Sequence, residues 1–346
     1  MMRFLLSFLL VLSLAIPVSA VEFTAPSVPA SGREWMPENT DNFGGGLAEI
    51  LEKAVFQLRP DLEEGLQVML SVIAAVILIS ILRLFQGIVK KAADIAGTVL
   101  ISSILLSCAN SMIQLGAETV FELSQYGKLF FPVMTAAMAA QGGLTSSTAL
   151  YVGTTFMDSL IASSISGIMV PLVYLYLALS ISNSAIQEDV LKRLRDIVKG
   201  FVSWSLKILL TIYTTYMSIT GVVSGTTDAA ALKATKVTIS SAVPVIGGIL
   251  SDASEAILVS AGLMKNAAGL YGIFALLAIF LNPFLKIGIH YILLKATAAI
   301  CGVYGAKSAI DLIDDFSATM GLLLAMTGSV CLLLLISTVC FMKGVG

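Results

Sequence analysis

Five ionisable side chains lie inside long apolar stretches of this sequence: Asp158, Lys207, Lys265, Lys286 and His290. A charge held among apolar residues at membrane depth is costly, so such side chains face protein or water and, where they do chemistry, mark ion, proton or substrate paths. Asp158 follows Thr154 and Thr155 and precedes Ser159, Ser163, Ser164 and Ser166. That polar face either lines an aqueous path or packs closely on a neighbouring helix, where small hydroxylic residues are common. His290 is the single histidine, two turns after Asn282-Pro283 and beside Lys286. It reads as a cavity-lining, proton-linked group or as a helix-end residue packed with a partner. One histidine leaves no His cluster for a metal and ties any Ser-His-Asp arrangement to that position.

Other chemistry is not indicated. The pairs Gly142-Gly143 and Gly247-Gly248 lack the spacing of a nucleotide-binding loop. Cys108, Cys301, Cys331 and Cys340 all fall in apolar stretches without CxxC spacing, so neither a disulfide framework nor a zinc site is expected. We therefore expect no catalytic, cofactor-binding or metal-binding residues, and any energy coupling to come from a partner.

The elements that must position these residues are membrane helices. Hydrophobic residues make up 57% of the chain and charged residues 12%, against about 25% charged in soluble domains; mean hydropathy is +0.95. So much apolar surface does not fit one water-soluble core, and the expected fold is an all-α, polytopic integral membrane protein. The net charge of −2 argues against nucleic acid as a partner.

Proline spacing suggests an internal repeat. Of nine prolines, Pro132 and Pro171 are 39 residues apart, as are Pro244 and Pro283, and the two pairs are offset by 112. Pro-Val opens each pair, and small-residue interruptions at Gly142-Gly143 and Gly247-Gly248 follow. We expect copies over about 129–225 and 241–342, each with broken or re-entrant helices. Paired interruptions in two halves of a membrane protein point to a binding locus or pathway.

Along the chain, residues 1–20 have the basic, apolar and small-residue regions of a signal peptide. Residues 21–65 form a short exported polar segment, extended at first and then an amphipathic helix over Leu47–Leu58. The multi-span domain is expected over 66–346. Leu66–Leu84 is long enough to cross a 30 Å core, and Arg83, Lys90 and Lys91 after it favour the cytoplasmic side. Ile95–Leu115 returns outward, toward Glu118 and Glu122. Residues 186–201 alternate apolar and charged faces and read as an interfacial helix on the cytoplasmic side, either a solvated connector or a docking surface for an ATPase. Lys307–Phe316 reads as a similar connector before a last span at Ala318–Phe341. About six to eight membrane helices are expected.

Three stretches resemble one known family: Gly142-Gly143-Leu144-Thr145-Ser146, Val243-Pro244-Val245-Ile246-Gly247-Gly248-Ile249-Leu250-Ser251-Asp252, and Leu263-Met264-Lys265-Asn266-Ala267-Ala268-Gly269. With the order of elements, they resemble the stage III sporulation protein AE family over roughly residues 60–346. The resemblance implies a multi-pass protein of the mother-cell membrane around the forespore in endospore-forming bacteria. It implies a transport or secretion complex linking the two cells and needed for late forespore gene expression. Its partners would be other membrane and ring-forming subunits, a forespore protein, a secretion-type ATPase on the cytoplasmic side and copies of itself. A small-solute transporter and a non-conducting scaffold are the alternatives that the residues leave open.

Overall fold

The computed structural model describes residues 26–38, 40, 42–84, 88–140, 144–219, 267–304 and 307–344, and over these the chain is helical. A short helix, α1 (Ala30–Arg33), precedes α2 (Phe43–Leu82) and α3 (Ile88–Ala140). Next come α4 (Leu144–Ser164), a π-helical turn (Ile165–Met169) and α5 (Val170–Ile186). Helices α6 (Asp189–Ile219), α7 (Ala267–Cys301) and α8 (Lys307–Gly344) complete the described bundle. Among the described residues, six helical segments are long and apolar enough to cross a membrane, with α4 and α5 counting as one. The chain is thus an all-helical, multi-pass membrane protein.

Contacts between helices fix their directions. Gly97 of α3 lies against Ile79 of α2, and Arg83 pairs with Asp94, so α2 and α3 are antiparallel. Thr98 with Ser184, Asn110 with Tyr174 and Ser124 with Asp158 form an antiparallel ladder between α3 and the α4–α5 segment. Gly46 and Gly65 of α2 meet Phe274 and Leu293 of α7, which sets those two helices parallel. Arg195 with Asp315, and Tyr213 with Leu333, align α6 with α8. One end of the bundle therefore gathers Arg83, Ser184, Arg195 and Ser308. The other gathers the stacked pairs Phe43–Phe274 and Phe131–Phe341.

Helix α8 is the centre. It packs against α3, α4, α5, α6 and α7, and from Asp315 to Met342 nearly every residue is buried. Its hydroxyls at Thr327, Ser329, Ser337 and Thr338 bond to carbonyls one turn back, which keeps them satisfied where no water reaches.

Several elements differ from the sequence expectations. Pro132 and Pro283 lie inside α3 and α7, which continue through them. A proline removes one backbone hydrogen bond and crowds the preceding turn, and in a long packed helix the neighbouring turns and helices hold the register. Residues 129–140 accordingly continue α3 and form no separate re-entrant segment. Pro171 stands at the start of α5, directly after the π turn, where a local change of helical register accommodates its ring. Pro244, Gly142, Gly143, Gly247 and Gly248 lie outside the described residues, as does the 1–20 segment.

The three amphipathic stretches are not separate elements. Residues 47–58, 186–201 and 307–316 are largely the first turns of α2, α6 and α8, each continuous with the apolar part that follows. Residues 26–38 are also folded: Val28 and Trp35 are buried, Trp35 packs with Ala54 and Ala278, and Ser31 donates a hydrogen bond to Glu122. Two apolar anchors suffice to seat this otherwise polar segment. Between α5 and α6 the chain turns at Gln187, whose φ of 60° and ψ of 43° place it in the left-handed region. Its N–H bonds back to Asn183, closing the helix end.

Candidate functional site

Helices α3 and α4 bring Ser124 and Asp158 together in the buried interior. The Ser124 hydroxyl donates to Asp158 Oδ2 at 2.8 Å, and Asp158 is 2% exposed. Its other oxygen, Oδ1, has no hydrogen-bond partner, and neither does the buried Thr155 hydroxyl one turn earlier. Thr154 turns the other way in the helix backbone's favour, bonding the Leu150 carbonyl. On α6, the Tyr213 hydroxyl shares a hydrogen bond with Ser337 at 2.6 Å and bonds the Leu333 carbonyl. The polar face expected from Thr154 to Ser166 is therefore split. Asp158 points inward, whereas Ser163 and Ser166 are exposed and Ser164 and Ser166 bond their own helix.

Lys286 and His290 belong to a different place, the α2–α7 interface. Lys286 Nζ lies 3.0 Å from Glu64 and 3.4 Å from Asp61. His290 is buried, donates from Nδ1 to the Lys286 carbonyl at 2.9 Å, and leaves Nε2 without a partner. Lys286 is thus paired across two helices, beside the largely exposed Glu64. Lys207 is exposed on the outer face of α6 and its side chain joins neither group. Lys265 lies outside the described residues. Asp158, Lys286 with His290, and Lys207 thus occupy three separate positions.

A fourth cluster carries no signal in the sequence. Arg195 reaches from α6 to Asp315 of α8 at 2.6 Å and also bonds Asp196. The Tyr176 hydroxyl of α5 donates to the other Asp315 oxygen at 2.9 Å. Three helices are joined by one carboxylate, whose charge is matched by one guanidinium. Arg195 and Asp315 each sit on the polar face of an amphipathic stretch, where nothing separates them from solvated neighbours such as Arg193 and Asp311. Only their position on facing helices distinguishes them.

Beside α1, an open cleft of about 490 Å³ is lined by Glu34, Trp35, Glu49, Glu52, Lys53, Phe56 and Gln57. Lys53 spans it to the Met36 carbonyl at 2.8 Å and to Glu49 at 2.9 Å, which ties the N-terminal segment to α2.

A family model described as Stage III sporulation protein AE matches residues 36–344. A relative of that name from Bacillus subtilis (strain 168) is 23% identical over 262 residues, covering 74% of this chain and 66% of the relative. The chain thus spans just under two thirds of that relative's length. No solved structure matches.

Proposed function

The chain belongs to the stage III sporulation protein AE family, and from that membership we propose that it is a membrane core component of a sporulation-specific transport or secretion complex. In this reading it sits in the mother-cell membrane around the forespore and sustains late forespore gene expression. The family match over 36–344 carries the proposal. The fold supports it: a bundle of long helices around one shielded post is a rigid body on which other subunits can be built.

Orientation follows from charge. Arg83, Lys90, Lys91, Lys192, Arg193, Arg195 and Lys199 cluster at or near the end where α2 finishes and α3 and α6 begin. Basic residues flanking spans stay cytoplasmic, so this end faces the mother-cell cytoplasm. Phe43 and the start of α7 then face the intermembrane space, which is where ring-forming subunits and a forespore partner would meet the chain. A secretion-type ATPase would approach the opposite end. There Val190, Leu194, Ile197 and Phe201 form an exposed apolar stripe beside Lys192 and Arg193. The 112-residue duplication remains part of this reading, supported by the shared spacing of the proline pairs.

Deleting the gene in its native host, with a late forespore reporter, tests the proposal. Completed engulfment with a dark reporter and a shrunken forespore is expected. Normal spores would overturn it. A small-solute transporter is the second reading, favoured by the buried carboxylate at Asp158.

A further inference from the structure

The Asp158 carboxyl is built as if something were bound to it. An ionised carboxylate offers about four acceptor positions, yet a single donor, Ser124 Oγ, bonds it, and Oδ1 has none. A buried carboxylate left in that state is strongly unfavourable. Thr155 lies three residues earlier on the same helix face, where side chains meet, and its hydroxyl is likewise buried without a partner. No basic side chain hydrogen-bonds the group. Lys128 on α3 is within electrostatic range but is exposed, one turn beyond Ser124. Tyr213 on α6 is also within electrostatic range of Asp158, and Tyr213 itself has Tyr216 on α6 and Cys340 on α8 as neighbours. Tyr213 is engaged by Ser337 and the Leu333 carbonyl, and Tyr216 by the Ala149 carbonyl.

The geometry points to a binding site for one monovalent cation, a proton or a sodium ion, held by Asp158 Oδ1 with the hydroxyls of Thr155 and Ser124. The donors are hard oxygens, with no sulfur or imidazole among them, which suits a hard cation. Calcium demands six to eight oxygens, so one carboxylate and two hydroxyls match a single charge. A proton on Oδ1 removes the unpaired buried charge; sodium offsets it by coordination. The cation ties α4 to α3 at the depth where both are shielded by α8. The inference concerns the isolated chain and does not depend on the complex proposed above.

The test uses the full chain purified in detergent, with thermal unfolding followed in two series. One varies pH at constant sodium; the other exchanges sodium for choline at constant pH and ionic strength. In one of the series the wild-type midpoint is expected to shift by roughly 2–4 °C more than that of Asp158→Asn, a neutral isostere that still accepts from Ser124. A response to pH alone identifies the proton, and a response to sodium identifies the ion. If both proteins respond alike, or neither responds, the site is overturned and the pair is a packing contact only.

Discussion

Arg195 of α6 and Asp315 of α8, 120 residues apart in sequence, are joined by a 2.6 Å ion pair with both side chains nearly shielded from solvent. Tyr176 adds a third helix to the same carboxylate. Removing one partner leaves an uncompensated charge, which costs about 3–5 kcal/mol for a buried pair. Arg195→Met and Asp315→Leu are each expected to lower thermal stability strongly. The double substitution is expected to recover a large part of the loss, and Tyr176→Phe to cost only about 1 kcal/mol. Unfolding of the four purified variants checks this; equal losses for single and double variants would refute the coupling.

Gly272 is required by Phe130. A Cβ at that position would fall 2.0 Å from the Phe130 ring, which is itself fully buried. Gly272→Ala is expected to destabilise by about 1–3 kcal/mol through overpacking. Gly288→Ala, whose Cβ would meet nothing within 4 Å, is expected to stabilise α7 by up to about 1 kcal/mol. The contrast between these two glycines of one helix is the measurement.

The parallel pairing of α2 and α7 predicts a crosslink. Gly65→Cys with Leu293→Cys is expected to form a disulfide on mild oxidation, because a Cβ at 65 would lie 2.4 Å from the Leu293 side chain. Gly46→Cys with Leu293→Cys, a control at the far end of the same helices, is expected to form none. Mobility on non-reducing gels reads both.

Membrane orientation is open to thiol labelling. Phe56 and Val303 are among the most exposed apolar side chains, at 86% and 84%, and lie toward opposite ends. With the chain expressed in the cytoplasmic membrane of vegetative cells, an impermeant maleimide is expected to label Phe56→Cys in intact protoplasts and Val303→Cys only after permeabilisation. The labelling is done in a Cys108→Ser background, because Cys301, Cys331 and Cys340 are buried but Cys108 is half-buried. The reverse pattern would invert the assigned topology.

Much of the membrane architecture is legible in the sequence. The span after residue 66 emerges from apolar length alone, and Asp158 stands out as a carboxylate in apolar surroundings. The amphipathic stretches are a different matter. A helix lying on a membrane and one running on into the bundle carry the same two-faced pattern, because periodicity reports which sides are wet and says nothing of tilt. Residues 186–201 read as an interfacial helix from their pattern, whereas in the structure Asp189 onward runs on into the bundle as α6. The centrality of α8 was hidden for a related reason. A wholly apolar helix looks the same whether lipid or protein surrounds it, and only contacts with five neighbouring segments separate the cases. The Arg195–Asp315 pair required facing helices to be known in advance.

The position of α8 also bears on how the molecule is made. The helix around which α3 to α7 are arranged emerges from the ribosome after all of them. Until it arrives, the other helices hold a slot with no occupant, and their inward faces must be sheltered by lipid, by one another or by an insertion factor. Assembly therefore resembles the setting of a keystone: the earlier spans wait in a provisional arrangement, and closure is a single late event. A chain interrupted before residue 307 would lose far more than one span, because it would lack the surface against which the rest is aligned. Quality control that senses an unfilled slot would have a well-defined target here.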